Sequence, residues 1–264
     1  MNQLNPRPAP AIRFIEFMGL PGSGKSTIAA HLESDLRQQG FKTVSRSAEL
    51  ADNYPFLWRH WRRLLRVVRN AARCRRLYID AFKIITDSRQ KSHWDRAKVT
   101  WNLWSVMALM TDCRAAGDSV TIIDQGLFQA IWSIQLSSSK ELSAAAWGNL
   151  LSAAGIADVL VVNVQSEIPI VSNRLVARAS KRTRLSSQAH DVHAAAWQIA
   201  AGNMTTLIDL ARAALPRDQV GDRVIAIEND TTSPRAAALN IATAFLARMR
   251  PPAPTGFRDL CCNI

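Results

Sequence analysis

Residues 19–26 read GLPGSGKS and place three glycines beside a lysine and two serines. They fit the pattern G-x-x-x-x-G-K-[ST], and Thr27 follows. Glycines let successive backbone N–H groups converge on an anion, and the N-terminus of a following helix adds a favourable dipole. The pattern predicts a phosphate-binding loop whose cofactor-binding residues are Gly19, Pro21, Gly22, Ser23, Gly24, Lys25, Ser26 and Thr27.

Two side chains of this loop have roles that the pattern specifies. Lys25 is expected to reach the β and γ phosphates of ATP, and the Ser26 hydroxyl is expected to coordinate Mg²⁺. The apolar run RFIEFM precedes the loop, and the helical pattern STIAAHLESDLRQQ follows it. A chance match in a turn would not require this context, whereas a phosphate loop does.

Asp124 ends the apolar run VTIID. In a parallel sheet the carboxyl ends of the strands lie on the same side, so Asp124 and the predicted phosphate loop should face each other there. We therefore predict that Asp124 acts in catalysis by holding Mg²⁺, directly or through water. The structural alternative is an aspartate that only caps the following helix, GLFQAIWSI.

Basic residues recur at helical spacing in the segment 165–185. After the predicted strand VLVVNV come Arg174, Arg178, Lys181 and Arg182, spaced by one to four positions. Such a row can neutralise charge that develops on a transferred phosphoryl group, and we assign this catalytic role to Arg178 and Arg182. The alternative is a basic face in contact with solvent.

Five β-rich runs alternate with helical patterns along the chain, which predicts a parallel sheet covered by helices. The strands are predicted at 12–18, 42–47, 120–124, 159–164 and 223–228, and the helices at 25–39, 92–116, 139–155, 169–182, 189–215 and 234–250. Residues 48–119 have helical periodicity without a convincing strand and are predicted to form an all-helical insertion. The expected organisation is a leader at 1–11, one domain at 12–250 and a peripheral tail at 251–264.

The segment 58–76, WRHWRRLLRVVRNAARCRR, contains eight arginines and no acidic residue. On a helical wheel most of the arginines between Arg59 and Arg76 share one arc, and Trp61, Leu64 and Val68 lie opposite. Three interpretations remain open. The apolar side packs on the core below a solvated arginine face, or the helix contacts an anionic membrane or nucleic acid surface, or some arginines line an acceptor pocket.

The composition is that of a globular domain with a strong basic excess. The 264 residues are 48% hydrophobic and carry a formal net charge of +12. The four cysteines lack metal-binding or disulfide-scaffold spacing, which favours a reducing compartment. No signal peptide or membrane span is evident, so we expect a cytoplasmic protein, with peripheral attachment to the inner face of a membrane left open. Trp94, Trp101 and Trp104 recur at helical spacing and are predicted core residues.

Four segments together resemble the P-loop nucleoside and nucleotide monophosphate kinases, and thymidylate kinases most closely. They are FIEFMGLPGSGKST, IIDQG, VNVQSEIPIVSNRLVARASKRTR and VIAIENDTTSP, and they occur in family order outside residues 48–119. The resemblance implies a three-layer α/β/α fold with a five-stranded parallel sheet. It also implies ATP and Mg²⁺ as cosubstrates, a lid at about 178–190 that closes through its arginines, and an adenine site near Asn229 and Asp230.

The expected activity is transfer of the γ-phosphoryl group of ATP to a small molecule. A nucleoside or nucleoside monophosphate is the first acceptor to consider. Thymidylate kinases usually carry arginine after the strand-ending aspartate, but Gln125 stands here. The acidic motif expected after the second strand is not clear either, and Arg46, Glu49 and Asp52 are the nearest residues of the right type. A sugar, an antibiotic or another hydroxyl compound therefore also qualifies. The alternative function is a nucleotide-dependent regulatory ATPase or switch that docks on an anionic membrane or nucleic acid surface through its basic helix. A homodimer is compatible with either function.

Overall fold

The fold is a parallel sheet between two layers of helices, as seen in a computed structural model. The structure describes residues 12–45, 56–117, 119–140, 143–177, 190–215 and 222–249, with only the backbone described at 56, 57, 59 and 190–194. Five strands lie in the order β2-β3-β1-β4-β5, and all neighbours are parallel. They are β1 (Phe14–Met18), β2 (Thr43–Ser45), β3 (Val120–Ile123), β4 (Val159–Gln165) and β5 (Val224–Glu228). The predicted five-stranded parallel α/β fold is confirmed.

Nine α-helices connect or cover these strands in the described part of the chain. They are α1 (Lys25–Gln38), α2 (Phe56–Arg69), α3 (Ala71–Asp87), α4 (His93–Ala115), α5 (Leu127–Ser137), α6 (Ala144–Ala153), α7 (Ile168–Ala177), α8 (His190–Ala214) and α9 (Pro234–Met249). A short 3-10 helix, Ile156–Asp158, leads into β4. None of the described helices is long and apolar enough to cross a bilayer.

The central strand β1 divides the core into two layers. Successive side chains of a strand point to opposite faces of the sheet. Phe14 and Met18 pack with the cluster that includes helices α4, α5 and α8. Ile15 and Phe17 pack with the cluster formed by α1 and α9. Both faces of the sheet are therefore covered, which explains the nearly continuous apolar runs of β1, β3 and β4.

Three helices, α2, α3 and α4, fill the long interval between β2 and β3. The arginine-rich segment, which the sequence pattern predicts as one helix, is divided at Asn70, which lies between α2 and α3. The Asn70 side-chain amide is buried and donates hydrogen bonds to the Arg66 carbonyl oxygen and to Oδ1 of Asp112 on α4. At the break, Asn70 therefore connects the end of α2 to α4.

The structure argues against one of the three interpretations left open for the basic helix, and it shows that the prediction of Trp94 as a core residue is wrong. The helix α2 does not pack its apolar arc on the core, since Trp61, Leu64 and Val68 are exposed while Val67 is buried. Trp94 is not a core residue either, because it is 78% exposed near the start of α4. Trp101 and Trp104 are partly buried against the core, and the Trp104 indole N–H donates to the Tyr78 carbonyl oxygen.

Candidate functional site

The loop between β1 and α1 curls at the carboxyl end of the central strand. Gly19, Gly22 and Gly24 adopt φ angles of 148°, 88° and 94°, a region that L-residues with a side chain rarely occupy. The Ser23 N–H donates to the Leu20 carbonyl oxygen over 3.1 Å, which closes a turn within the loop. A Cβ atom on Gly19 would collide with the Val164 carbonyl oxygen of β4, and one on Gly24 would collide with the Asn229 amide. Gly19 and Gly24 are therefore required for two reasons: a neighbouring atom lies too close for a Cβ atom, and the φ angle is positive.

The helix α1 begins immediately after this turn. Its N-cap residue is Gly24, which contributes no side-chain hydrogen bond, and its first turn contains no acidic residue. The first N–H groups of an α-helix have no intrahelical acceptor and carry the positive end of the helix dipole. The amino end of α1 is thus left available for an anion at the loop.

Lys25 lies across the beginning of the loop. Its ammonium group donates to the carbonyl oxygens of Gly19 and Leu20 over 2.8 and 2.9 Å. These two carbonyls belong to the point where the chain leaves β1. These contacts keep the positive charge of Lys25 at the loop, where it could pair with a bound phosphate.

Ser26 and Asp124 meet at the adjoining edge of the sheet. The Ser26 hydroxyl donates to Oδ2 of Asp124 over 3.1 Å, joining the first turn of α1 to the residue that follows β3. Asp124 is buried, and its other oxygen, Oδ1, has no hydrogen-bond partner among the described residues. A hydroxyl and a carboxylate with an unused oxygen form a donor pair that suits Mg²⁺.

The turn after β5 holds the loop from the other side. The Asn229 side-chain amide donates to the Ser23 carbonyl oxygen over 2.7 Å, and Asn229 is buried. The neighbouring Asp230 accepts from the Glu167 N–H over 2.6 Å at the start of α7, and it lies 3.8 Å from the Arg174 guanidinium. Asn229 and Asp230, which the resemblance places near adenine, therefore both make contacts with other residues of the protein.

A second buried carboxylate lies below the loop that contains Asp124. Glu16, in the middle of β1, accepts hydrogen bonds from the N–H groups of Phe128 and Gln129 over 2.6 and 3.3 Å. It thereby caps the amino end of α5, whose own N-cap, Gly126, provides no side-chain cap. A Cβ atom on Gly126 would lie 2.5 Å from Oε2 of Glu16, so glycine is needed for this contact.

Burial decides the ionisation of Glu16. Desolvation raises the pKa of Glu16 to about 7. Hydrogen bonds from the backbone of Gln129, Phe128 and Leu127 lower the pKa, but their effect is smaller. No hydrogen-bond partner of its Oε2 lies within the described ranges. The carboxyl group therefore titrates near neutral pH while supporting the helix that follows Asp124.

The residues present fit a Mg²⁺–triphosphate ligand on three counts. Added Cβ atoms at Gly19 and Gly24 would fill the glycine turn, Lys25 could supply a cation, and the oxygens of Ser26 and Asp124 could serve as metal ligands. In the part of the chain that is described, no three His, Cys, Asp or Glu side chains are grouped to hold a metal. A metal held here would thus take its remaining ligands from phosphate and water, as Mg²⁺ usually does.

The structure brings together the predicted residues of the phosphate loop with Asp124. Arg178, Arg182 and the predicted lid at about 178–190 lie almost entirely outside the described residues. The helix leading to them, α7, contacts the loop, since a Cβ atom on Gly22 would lie 3.1 Å from the Val171 carbonyl oxygen. Arg174, the described member of the basic row, faces Asp230 and Ser166.

Sequence reasoning missed two residues that shape this site. Glu16 is a charged residue in the otherwise apolar run FIEFM, and a charge inside a strand covered on both faces is itself a signal of a specific partner. The family resemblance suggests Asn229 only as a neighbour of adenine, and its contact with Ser23, which joins positions distant in sequence, was not foreseen. Only the folded chain shows that second relationship.

The fold and the glycine turn define the chain as a P-loop α/β protein. No family model matches the sequence, and none of the curated proteins compared with it is similar. Among solved structures, two of a deoxyadenosine kinase from M. mycoides are similar in fold. The structure with bound dCTP has 11% identity, a TM-score of 0.45 and coverage of 87% of this chain and 97% of that chain. The structure with the products dCMP and dCDP has 12% identity, a TM-score of 0.48 and coverage of 89% and 99%.

An APS kinase from Mycobacterium tuberculosis, solved with AMPPNP and APS, is similar over 90% of this chain and 99% of its own, with 13% identity and a TM-score of 0.41. Similarities at such low identities and TM-scores do not determine the activity of this chain. A proposal about its activity has to rest on its own residues, namely the glycine turn, Lys25, Ser26 and Asp124.

Proposed function

We propose that the protein is an ATP- and Mg²⁺-dependent phosphotransferase that moves the γ-phosphoryl group of ATP to a small-molecule acceptor. The observation that carries the proposal is the hydrogen bond from Ser26 to Asp124 beside a glycine turn that holds Lys25. A bare anion site would need the turn alone. A carboxylate placed against the loop serine adds the metal site that phosphoryl transfer from ATP requires.

Each group has a defined role in this proposal. The loop N–H groups and Lys25 bind the β and γ phosphates, and Ser26 and Asp124 hold Mg²⁺, which neutralises phosphate charge when bound. Arg178 and Arg182 are assigned to neutralise charge that develops on the transferred group. This last assignment rests on the sequence pattern and on the position of α7, whose Leu175 side chain approaches Gly22.

The acceptor class proposed first is a nucleoside or nucleoside monophosphate, as the thymidylate-kinase resemblance implies. Gln125 marks the main departure, because it provides an amide where a guanidinium would pair with a phosphorylated acceptor. A neutral acceptor such as a nucleoside is therefore favoured over a monophosphate. The competing function, a regulatory ATPase, would hydrolyse ATP without any acceptor.

Substitution of Lys25 tests the proposal. The variant Lys25→Ala should lower ATP turnover by a factor of about 100 or more, because it removes the cation that binds the transferred phosphate. Lys140→Ala, which changes an exposed lysine after α5, is the matched control and should retain turnover. Circular dichroism should show that both variants fold. Unchanged turnover in Lys25→Ala would refute the assignment.

A labelled-ATP screen over nucleosides, nucleoside monophosphates and sugars separates the two activities. A kinase transfers label to one class of acceptor, and that transfer disappears in Lys25→Ala. A regulatory ATPase releases labelled phosphate at the same rate with every acceptor, and that outcome would replace the kinase proposal. Transfer to sugars alone would keep the reaction type and exclude nucleosides.

A further inference from the structure

The helix α2 presents an apolar stripe to solvent instead of to the core. Trp58, Trp61 and Leu65 are each 51% exposed, and Val68 is 61% exposed. These four residues are spaced by three, four and three positions, which places them along one side of a helix. We define Trp58, Trp61, Leu65 and Val68 as the α2 stripe.

Contacts on the opposite side of α2 explain this orientation. Val67 and Asn70 are buried against the protein, and the Arg66 guanidinium lies 3.3 Å from the Asp112 carboxylate of α4. Arg69 also pairs with Asp112, over 2.5 Å, although its own side chain is 71% exposed. On this side α2 is thus held against the protein by buried Val67 and Asn70 and by the contacts of Arg66 and Arg69 with Asp112, while the apolar arc faces solvent.

The stripe is continuous with a groove between the helices of the long interval. Trp58, Trp61, His60 and Leu64 of α2 and Trp101 of α4 line a space of about 550 Å³. Isolated exposed apolar residues are ordinary on protein surfaces, whereas a contiguous row with two tryptophans marks an interaction site.

Cations border the stripe along its length. Arg62 comes four positions after Trp58 and lies at the edge of the stripe. Arg69 comes four positions after Leu65 at the same edge, where its exposed side chain also contacts Asp112. Exposed arginines continue on α3 at Arg73, Arg75 and Arg76. The segment 58–76 contains eight arginines and no acidic residue.

We propose that the α2 stripe and its bordering arginines dock the protein on a membrane surface that contains anionic lipids. Tryptophan rings favour the level of the lipid headgroups, aliphatic side chains favour the acyl boundary, and arginines bind the headgroup phosphates. The 14 residues of α2 form a rod about 21 Å long that can lie flat in this interface.

Charge and side-chain type favour this occupant over two others. A second copy of the chain would bring two arginine-rich borders together, and like charges at close range oppose association. Single-stranded nucleic acid stacks its bases on aromatic rings, but Leu65 and Val68 have no ring to offer. An anionic bilayer uses the apolar stripe and the cationic border at the same time.

Vesicle sedimentation with the full chain tests the proposal. The protein should bind vesicles of phosphatidylcholine with about one third phosphatidylserine, bind pure phosphatidylcholine about tenfold less, and lose binding as salt is raised. The triple variant Trp61→Ser, Leu65→Ser, Val68→Ser should lower partitioning to the anionic vesicles by about tenfold or more.

A matched variant controls for the loss of exposed apolar surface. Val176, Ile199 and Leu239 are 81%, 60% and 56% exposed on α7, α8 and α9, and their combined replacement by serine should leave vesicle binding unchanged. Equal loss in both triple variants, equal binding to neutral and anionic vesicles, or no binding of the wild type would overturn the proposal. So would a solution dimer that the α2 variant dissociates, or retention by single-stranded RNA in place of vesicles.

Tryptophan fluorescence of the wild type provides a measurement that does not depend on any variant folding. Brominated acyl chains in anionic vesicles should quench part of the emission, because Trp58 and Trp61 would enter the headgroup and acyl boundary. Emission that is not quenched by brominated lipid, under conditions in which the protein sediments with vesicles, would show that the stripe stays outside the bilayer.

Discussion

The Asn229 side-chain amide donates a 2.7 Å hydrogen bond to the Ser23 carbonyl oxygen, so the turn after the last strand holds the phosphate loop in place. The contact is buried and connects the two ends of the described domain. The shape of the loop is therefore a property of the whole sheet, because β5 must be in position before Asn229 can reach Ser23.

Asn229→Ala should weaken ATP binding without preventing folding. It removes the donor to Ser23 and leaves a buried carbonyl oxygen unsatisfied, which costs about 1–2 kcal/mol of folding stability. We expect a lower denaturation midpoint and a KM for ATP raised about fivefold or more. Asn240→Ala, at an exposed position on α9, is the control. A KM that changes equally in both variants would contradict the anchoring role.

Gly24→Ala should be more damaging than Asn229→Ala. The residue has a φ of 94°, and an added Cβ atom would displace the Asn229 amide from Ser23. The backbone strain alone costs about 1–2 kcal/mol. Calorimetry should show lower stability, and titration should show loss of ATP binding. Gly202→Ala, in α8 with open space around its Cβ position, should be neutral or slightly stabilising.

Asp124→Asn should change the dependence of activity on Mg²⁺. The variant keeps the size of the side chain but removes the negative charge beside the Ser26 hydroxyl. We expect the Mg²⁺ concentration for half-maximal turnover to rise about tenfold or more, because a neutral oxygen is a weaker ligand for this cation. Asp87→Asn, at the exposed end of α3, is the control. An unchanged Mg²⁺ requirement would leave Asp124 only as the hydrogen-bond acceptor of Ser26.

Glu16→Gln should remove a pH dependence of folding stability. Burial raises the pKa of Glu16 from 4.5 to about 7 in the folded chain. The folded state then binds more protons at Glu16 than the unfolded state does between these two values, so the stability that Glu16 contributes is fully present below pH 4.5 and is lost as the pH rises through 7. The loss amounts to about 3 kcal/mol.

Urea unfolding at pH 5 and pH 8 measures this effect. The wild type should lose free energy of unfolding between the two values, and Glu16→Gln should lose about 2.5 kcal/mol less, because the amide stays neutral at both. Far-UV circular dichroism at both pH values shows whether the variant is folded. The same decrease in variant and wild type would contradict a buried titrating carboxyl group at position 16.

Arg114→Lys should destabilise the region where β4 begins, at the end of the sheet opposite to the glycine loop. The Arg114 guanidinium donates two hydrogen bonds to the Asp158 carboxylate, over 2.8 and 2.9 Å, and two more to the Ala154 and Gly155 carbonyl oxygens. Lysine keeps the charge but cannot form this paired geometry. Since both side chains are largely buried, we expect a loss of about 2 kcal/mol.

Thermal unfolding measures this loss, and KM for ATP provides the contrast. The Arg114 contacts lie where β4 begins, whereas the phosphate loop lies where β1 ends, so ATP binding should persist in the folded variant. Arg212→Lys, which changes an exposed arginine on α8, should leave the melting temperature unchanged. Equal melting temperatures for the two variants would contradict the proposed role of the paired hydrogen bonds.

Local pattern was sufficient for the strands and for the loop. The predicted strand at 120–124 corresponds to β3 (Val120–Ile123), and the predicted strand at 159–164 corresponds to β4 (Val159–Gln165). These runs are apolar on both faces, and a covered parallel strand has this pattern whatever its neighbours. The glycine spacing likewise specifies a tight turn through φ angles that depend on local sterics.

The sequence by itself therefore determined the five strands, their order along the chain and the tight turn of the glycine loop, because these depend on short-range sterics and on the spacing of apolar residues. Only the tertiary structure decided which side of α2 faces solvent, that Glu16 caps α5 and that Asn229 holds Ser23. Each of those outcomes depends on a partner far away in the chain. A periodic pattern shows that a helix has two faces, but contacts with another helix, such as those of Arg66 and Arg69 with Asp112, are visible only in the folded chain.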